Sequence, residues 1–252
     1  MFPDLVIQAL FGLAAGLLIG CVGIGGVILV PLLSYVGGVD IHTAIAGAMF
    51  AYLISGAMGT LVYARHGSIR WGLTLSMWLG AMPAAFAGAL AASVLSTRLL
   101  ELCIGLLTVI SGLHALKKRA GQGEEAEPSL SKPVLTMIGS VTGFLSSLTG
   151  TGGPLVLIPI LLWFRLPALN AIGLSQAIQL PIAALATGGN FLAGTLDLIM
   201  GCAIGAGISL GTWGGGKLAH RLPKATLRTL VSILLVLVGG LILLRLGHDL
   251  AT

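Results

Sequence analysis

Charged side chains are scarce in this sequence: Asp, Glu, Lys and Arg make up 8% of its 252 residues. An ordinary soluble domain carries about 25%, so a solvated surface wrapped around a single core is excluded. Aromatic residues are few as well, at 6%, and they do not interleave with the basic ones. The net charge of +5 is therefore not the footprint of a nucleic-acid groove, and no nucleic-acid partner is expected. The 3 cysteines, Cys21, Cys103 and Cys202, all lie in apolar runs with no ligand spacing, which excludes a disulfide framework and a thiolate metal site. Ten-residue alternation of apolar and polar positions, the mark of a membrane barrel, is missing. The start, Met1-Phe2-Pro3-Asp4, lacks a positive region and a cleavage site, so the first apolar run is expected to be retained. Gly211-Thr212-Trp213-Gly214-Gly215-Gly216-Lys217 imitates a phosphate loop, but Leu218 stands where Ser or Thr is needed and no strand precedes it. No nucleotide, and no cofactor of any kind, is expected.

What remains is oil-loving. Hydrophobic residues make up 56% and the mean hydropathy is +1.05, values of a helical protein that crosses a lipid bilayer many times. Apolar runs cover roughly 5–36, 43–64, 71–95 and 99–116, then 134–164, 168–192, 198–216 and 226–246. Between the two sets lies a charged stretch with Lys117-Lys118-Arg119 and Glu124-Glu125, read as a solvated linker. The expected organisation is a first transmembrane repeat, 1–116, a linker, 117–133, and a second repeat, 134–252.

The two halves share glycines. Gly16, Gly23, Gly25 and Gly26 fall on Gly143, Gly150, Gly152 and Gly153 at one constant offset, which also joins Gly67 to Gly194, Gly80 to Gly207, Gly88 to Gly215 and Gly112 to Gly239. Agreement over this length indicates duplication of one helical unit. The first run of each half is longer than the ~20 residues that one spanning helix needs, and each breaks at its glycines. Such a run either crosses once as a long tilted helix, or turns inside the membrane and leaves as two half-helices.

The basic residues distinguish the two. If each broken run crosses once, Arg65, Arg70, Lys117, Lys118, Arg119, Lys132 and Arg245 collect on one face and the rest on the other, nearly evenly. If the broken runs return to their own side, only Arg98 and Arg245 lie on one face. The positive-inside rule selects the second case. The expected fold is all-α: a polytopic membrane protein of two homologous, inverted repeats, each opening with a glycine-broken re-entrant or split helix. Both termini are expected outside and the linker in the cytoplasm.

Inversion would bring the two breaks together from opposite leaflets, a recurrent design of transporter binding sites. Helices beginning near Val27 and Pro154 would then aim their N-termini at one spot. Proline suits the first position of a helix, Thr151 and Thr149 can cap or donate, and helix N-termini attract anions. The expected partners are a small anionic substrate and the lipid bilayer. The candidate substrate-binding residues are Gly23, Gly25, Gly26, Gly150, Thr151, Gly152, Gly153, Ser175 and Gln176. Gln179 and Asn190 lie in the same polar-dotted run and rank behind Ser175 and Gln176. Gly12, Gly16 and Gly20, like Gly207, Gly211 and Gly215, recur every four residues and read as packing stripes, which permit a homodimer without requiring one. Cys21 reads as a small hydrophobe, and His42 and His114 as passive residues near helix ends. An intramembrane enzyme would need a nucleophile-base pair or a metal cluster, and the apolar runs hold neither. A passive anion channel stays open beside a carrier.

The paired motifs, 20–31 (Gly-Cys-Val-Gly-Ile-Gly-Gly-Val-Ile-Leu-Val-Pro) and 150–159 (Gly-Thr-Gly-Gly-Pro-Leu-Val-Leu-Ile-Pro), with Asn170-Ala171-Ile172-Gly173-Leu174-Ser175-Gln176, resemble the sulfite exporter TauE/SafE family of membrane transporters. The resemblance covers nearly the whole chain. It implies secondary transport, in the direction of export, of sulfite, organosulfonates or related sulfur-containing or organic anions across a bacterial cytoplasmic (inner) membrane. Ala46-Gly47-Ala48-Met49 lacks the small hydroxyl residue that many members carry in the first half, so a symmetric role for this segment is not expected.

Overall fold

The computed structural model of the chain describes residues 2–22, 25–65, 67, 69–117, 131–164, 166, 168–219 and 224–251. Gly23, one of the candidate site residues, and most of the linker lie outside the described residues. Helix α1 spans Phe2–Val22, and α2, Gly26–Pro31, runs on as a π-helical turn, Leu32–Val36. Then come α3 (Ile41–Arg65), α4 (Trp71–Val94) and α5 (Thr97–Lys117). The second half repeats the order: α6 (Lys132–Thr149), α7 (Pro154–Trp163), α8 (Ala168–Leu192), α9 (Leu198–Ala219) and α10 (Lys224–Ala251). Among the described residues there is no strand. In hydrocarbon each segment must satisfy its own backbone, and a helix does so.

Five helices are long and apolar enough to cross a membrane among the described residues: Asp4–Cys21, Ile41–Arg65, Trp71–Val94, Asn170–Leu192 and Leu198–Gly215. Two helix starts carry carboxylate caps. Asp40 accepts the N–H groups of His42 (3.0 Å) and Thr43 (3.2 Å) at α3. Asp197 accepts those of Ile199 (2.9 Å) and Met200 (3.0 Å) at α9. Each also places negative charge at the positive end of a helix. The π-helical turn follows Pro31, whose missing N–H interrupts the regular ladder.

Helices α1 and α9 lie side by side and run in the same direction. Gly12 packs under Ile204 and Gly16 under Ile208, while Gly207, Gly211 and Gly215 pack under Ala9, Leu13 and Leu17. The backbones are so close that a methyl group at any of these glycines would overlap a carbonyl of the other helix. Gly12 and Gly16 of the first stripe and all three glycines of the second are thus used within the chain, as a close-packing seam. Helices α4 and α6 repeat the arrangement: Gly139 lies under Met77, Gly143 under Ala81, Gly80 under Thr136 and Gly88 under Phe144. The helix that opens each half therefore packs on a helix of the other half.

At the centre α3 and α8 run in opposite directions, with Gly56 against Leu180 and Gly59 against Gln176. Helices α5 and α10 also oppose each other, with Gly105 against Leu243 and Gly239 against Val109. After α1 the chain doubles back: Gly25 packs on Ala15 and Ile19, and Gly37 on Phe11. Half-helix α2 and its π-helical turn thus return beside α1 rather than extend it.

Candidate functional site

The two glycine breaks touch. A Cβ on Gly26 would stand 2.6 Å from the carbonyl oxygen of Thr151 and 3.0 Å from the hydroxyl of Tyr52. That hydroxyl donates to the Gly26 carbonyl at 2.7 Å. The Tyr52 ring lies over the other break, where a Cβ on Gly152 would come within 2.8 Å of it. Gly150 faces Val30 of α2 and Ile45 of α3. One side chain, 1% exposed, thus ties the first break to α3 and backs the second. Its carbonyl accepts a hydrogen bond from Gln179 Nε2 (3.2 Å), which also donates to Ser55 Oγ (2.7 Å), linking α3 to α8.

Sequence reasoning did not single out Tyr52 or Ser55, and it placed Gln179 behind Ser175 and Gln176. The available signal was a phenol in the middle of an apolar run, since a tyrosine buried in oil must find a partner for its hydroxyl.

The breaks are not built alike. Gly150 (φ 67°), Gly152 (φ 78°) and Gly153 (φ 114°) are left-handed, conformations that glycine adopts without strain. Gly150 closes α6 with its own N–H and that of Thr151 both on the Ser146 carbonyl. Three residues later Pro154 starts α7. The N–H groups of Gly152 and Gly153 find no acceptor among the described residues. They belong to consecutive residues just before Pro154, at the positive end of α7. At the first break Gly25 has an ordinary right-handed conformation (φ −93°, ψ −18°).

Polarity is also one-sided. Thr149 donates to the Leu145 carbonyl (2.7 Å) and lies 3.1 Å from the Thr151 hydroxyl. The hydroxyls of Thr142, Ser146 and Ser147 are buried without a partner. At the same offset the first half has Ala15, Ile19 and Gly20. Ser175 satisfies itself on the Ile172 carbonyl of its own helix (2.7 Å). Gln176, 2% exposed, has neither its amide oxygen nor its amide nitrogen partnered. An unpartnered buried amide is costly in protein, and here it sits one turn before Gln179.

Of the residues expected at the site, Gly25, Gly26, Gly150, Thr151 and Gly152 gather where the breaks meet. Gly153 faces Ile178 and Ile182, and Ser175 and Gln176 lie on α8. Cys21 donates its thiol to the Gly215 carbonyl (3.0 Å), a packing contact. His42 bonds the Ala92 carbonyl through Nδ1 (3.0 Å). Among the described residues no group of His, Cys, Asp or Glu could hold a metal ion.

Comparison with known proteins follows the same lines. The profile of the family described as sulfite exporter TauE/SafE matches residues 8–242. "Probable membrane transporter protein YdhB" of Bacillus subtilis (strain 168) is 24% identical, over 95% of this chain and 99% of its own. "Probable membrane transporter protein YunE" of the same organism is 24% identical, over 93% of this chain and 95% of its own. A "Probable membrane transporter protein" of Xylella fastidiosa (strain Temecula1) is 31% identical, over 68% of each chain. No solved structure matches.

Proposed function

The chain belongs to the sulfite exporter TauE/SafE family of membrane transporters, and from that premise we propose what it carries and how. It is a transporter and not an enzyme. The cargo is a small sulfur-containing or organic anion, such as sulfite or an organosulfonate, moved outward. The anion binds where the two breaks meet, on the N–H groups of Gly152 and Gly153 at the start of α7, with hydroxyls of α6 and the amide of Gln176 nearby. The observation that carries this reading is the pair of acceptorless backbone donors at a helix N-terminus, set against buried and unpartnered polar side chains. All these groups are neutral dipoles, which hold an anion and still release it.

In this reading the halves are inverted repeats. The opposed directions of α3 and α8, and the exchange by which α1 joins α9 while α6 joins α4, support it. The doubling back of α2 beside α1 supports the re-entrant form of the broken run. Both termini then lie outside and the linker inside, as the basic residues favour. Tyr52 stands between the breaks, where movement of one half against the other would pass, and alternating access would work on that contact.

The test is counterflow in proteoliposomes loaded with unlabelled sulfite, with taurine or with acetate. Saturable uptake of the labelled anion, stimulated by the same anion inside, supports the carrier. Flux linear in concentration and indifferent to the inner anion would make the protein a channel. Counterflow with acetate alone would remove sulfur compounds from the cargo.

A further inference from the structure

A second binding place lies away from the breaks, between the returning half-helix and the last helix. A cavity of about 360 Å³ is walled by Ile28, Leu32 and Tyr35 on one side and by Val238, Leu241 and Arg245 on the other. Among the described residues no acidic side chain lines it. It opens sideways, on the face where Ile233, Leu237, Leu241 and Leu244 of α10 are exposed, the face that meets hydrocarbon in a membrane-spanning bundle. Arg245 stands at one end of the groove with its guanidinium 5.0 Å from the centre of the Tyr35 ring. That end lies close to where the π-helical turn leaves the bundle at Gly37 and close to the end of α10. The other end reaches Ile28, two residues beyond the Gly26 carbonyl that takes the Tyr52 hydroxyl.

We infer that this groove binds an anionic phospholipid, with an acyl chain along the apolar walls and the phosphate on Arg245. The shape requires an amphiphile with one anionic head, and the bilayer delivers such molecules from the open side. A guanidinium matches phosphate in geometry and charge, and its stacking on Tyr35 leaves its N–H edge available. A second copy of this chain fits less well. Its 8 acidic residues fall in loops, in the linker and near helix ends, so a neighbouring span offers no carboxylate along its length. The occupant would wedge the half-helix that carries the first break, so lipid composition would reach the transport site through α2. This inference does not depend on which anion is carried, or on whether the breaks bind one.

The experiment uses the purified full chain in a neutral detergent. Thermal unfolding is followed while phosphatidylglycerol, phosphatidylcholine with the same acyl chains, or inorganic phosphate is titrated in. The expected result is a saturable rise with phosphatidylglycerol, a smaller one with phosphatidylcholine and none with inorganic phosphate. Arg245→Gln should raise the half-saturating phosphatidylglycerol concentration about tenfold, the worth of one charge-assisted contact, and weaken the phosphatidylcholine response less, because the choline cation already offsets part of the attraction of its phosphate to the guanidinium. Arg245→Lys should recover part of the difference. Val238→Trp, which fills the groove from its wall, should remove both responses, and it stands in if Arg245→Gln does not fold. Equal responses to the two lipids, or a wild-type response in both Arg245→Gln and Val238→Trp, would overturn the inference. So would a dimer that Val238→Trp converts to a monomer, because the groove would then be an interface between copies.

Discussion

Replacing Gly152 by alanine adds one methyl group and separates two effects that the structure superimposes. Gly152 has φ 78°, and an L-residue held in that region costs about 1–2 kcal/mol. The new Cβ would also stand 2.8 Å from the Tyr52 ring, which cannot retreat freely because its hydroxyl is held on the Gly26 carbonyl. Overpacking of this kind costs about 1–3 kcal/mol. The sum, about 2–5 kcal/mol, has internal references in the same chain. Gly194 is left-handed (φ 73°) with open space around it, so Gly194→Ala carries the backbone part alone, about 1–2 kcal/mol. Gly26→Ala carries the contact part alone, against Thr151 and Tyr52, about 1–3 kcal/mol. Gly188 is helical with nothing near it, and alanine there should stabilise by up to about 1 kcal/mol. At about 2–4 °C per kcal/mol for a chain of this size, unfolding followed by tryptophan fluorescence should rank the variants Gly188, Gly194, Gly152 from most to least stable, with Gly26 below Gly188. Anion counterflow should fall in the Gly152 and Gly26 variants and persist in the other two. If Gly152→Ala unfolds no earlier than Gly194→Ala, the ring does not stand over the second break and the joined-break reasoning fails.

Tyr52→Phe should lower stability by about 1 kcal/mol, one buried hydrogen bond, and lower flux by more than that loss explains; unchanged flux would show that the hydroxyl does not set the register of the breaks. Gln176→Met should do the opposite to stability. It removes an unpartnered buried amide, so the unfolding temperature should rise while half-saturation for the transported anion weakens, and a fall in unfolding temperature would mean that the amide is satisfied in the folded protein. Cys21→Ala should leave counterflow of sulfite within about twofold of wild type, because its thiol donates to the Gly215 carbonyl and such a thiol contact carries little energy; a large loss would give that thiol a chemical part.

The long helices, the breaks and the glycine seams were legible in the sequence, because continuous apolar runs leave the backbone no choice but helix and only glycine admits so close an approach. The partners of the seams were not. A stripe such as Gly207, Gly211 and Gly215 says that a backbone comes near and does not say whose, and nothing in it or in the stripe of α1 marks the two as mates. The inequality of the breaks was hidden for a similar reason. Both read as glycine clusters, yet Gly152 and Gly153 are left-handed while Gly25 is not, since each conformation is decided by what packs around it. Tyr52 escaped notice because its role depends on two elements far from it in sequence. Gln176 and Gln179 are both amides in one run, and sequence does not tell that Gln179 has partners while Gln176 has none.

The exchange of opening helices has a consequence for how the chain is made. When α1 emerges from the ribosome its glycine seam has no mate, and Ile204 and Ile208 follow some 190 residues later, roughly 10–40 s at ordinary rates of synthesis. Through that interval a surface built for backbone contact must be held by lipid or by the insertion machinery. Helix α6 faces no such wait, since α4 is already in place when it arrives. Cut at the linker and expressed apart, neither half would contain the mate of its own first helix, but the two polypeptides made in one cell should find each other and assemble by mutual completion.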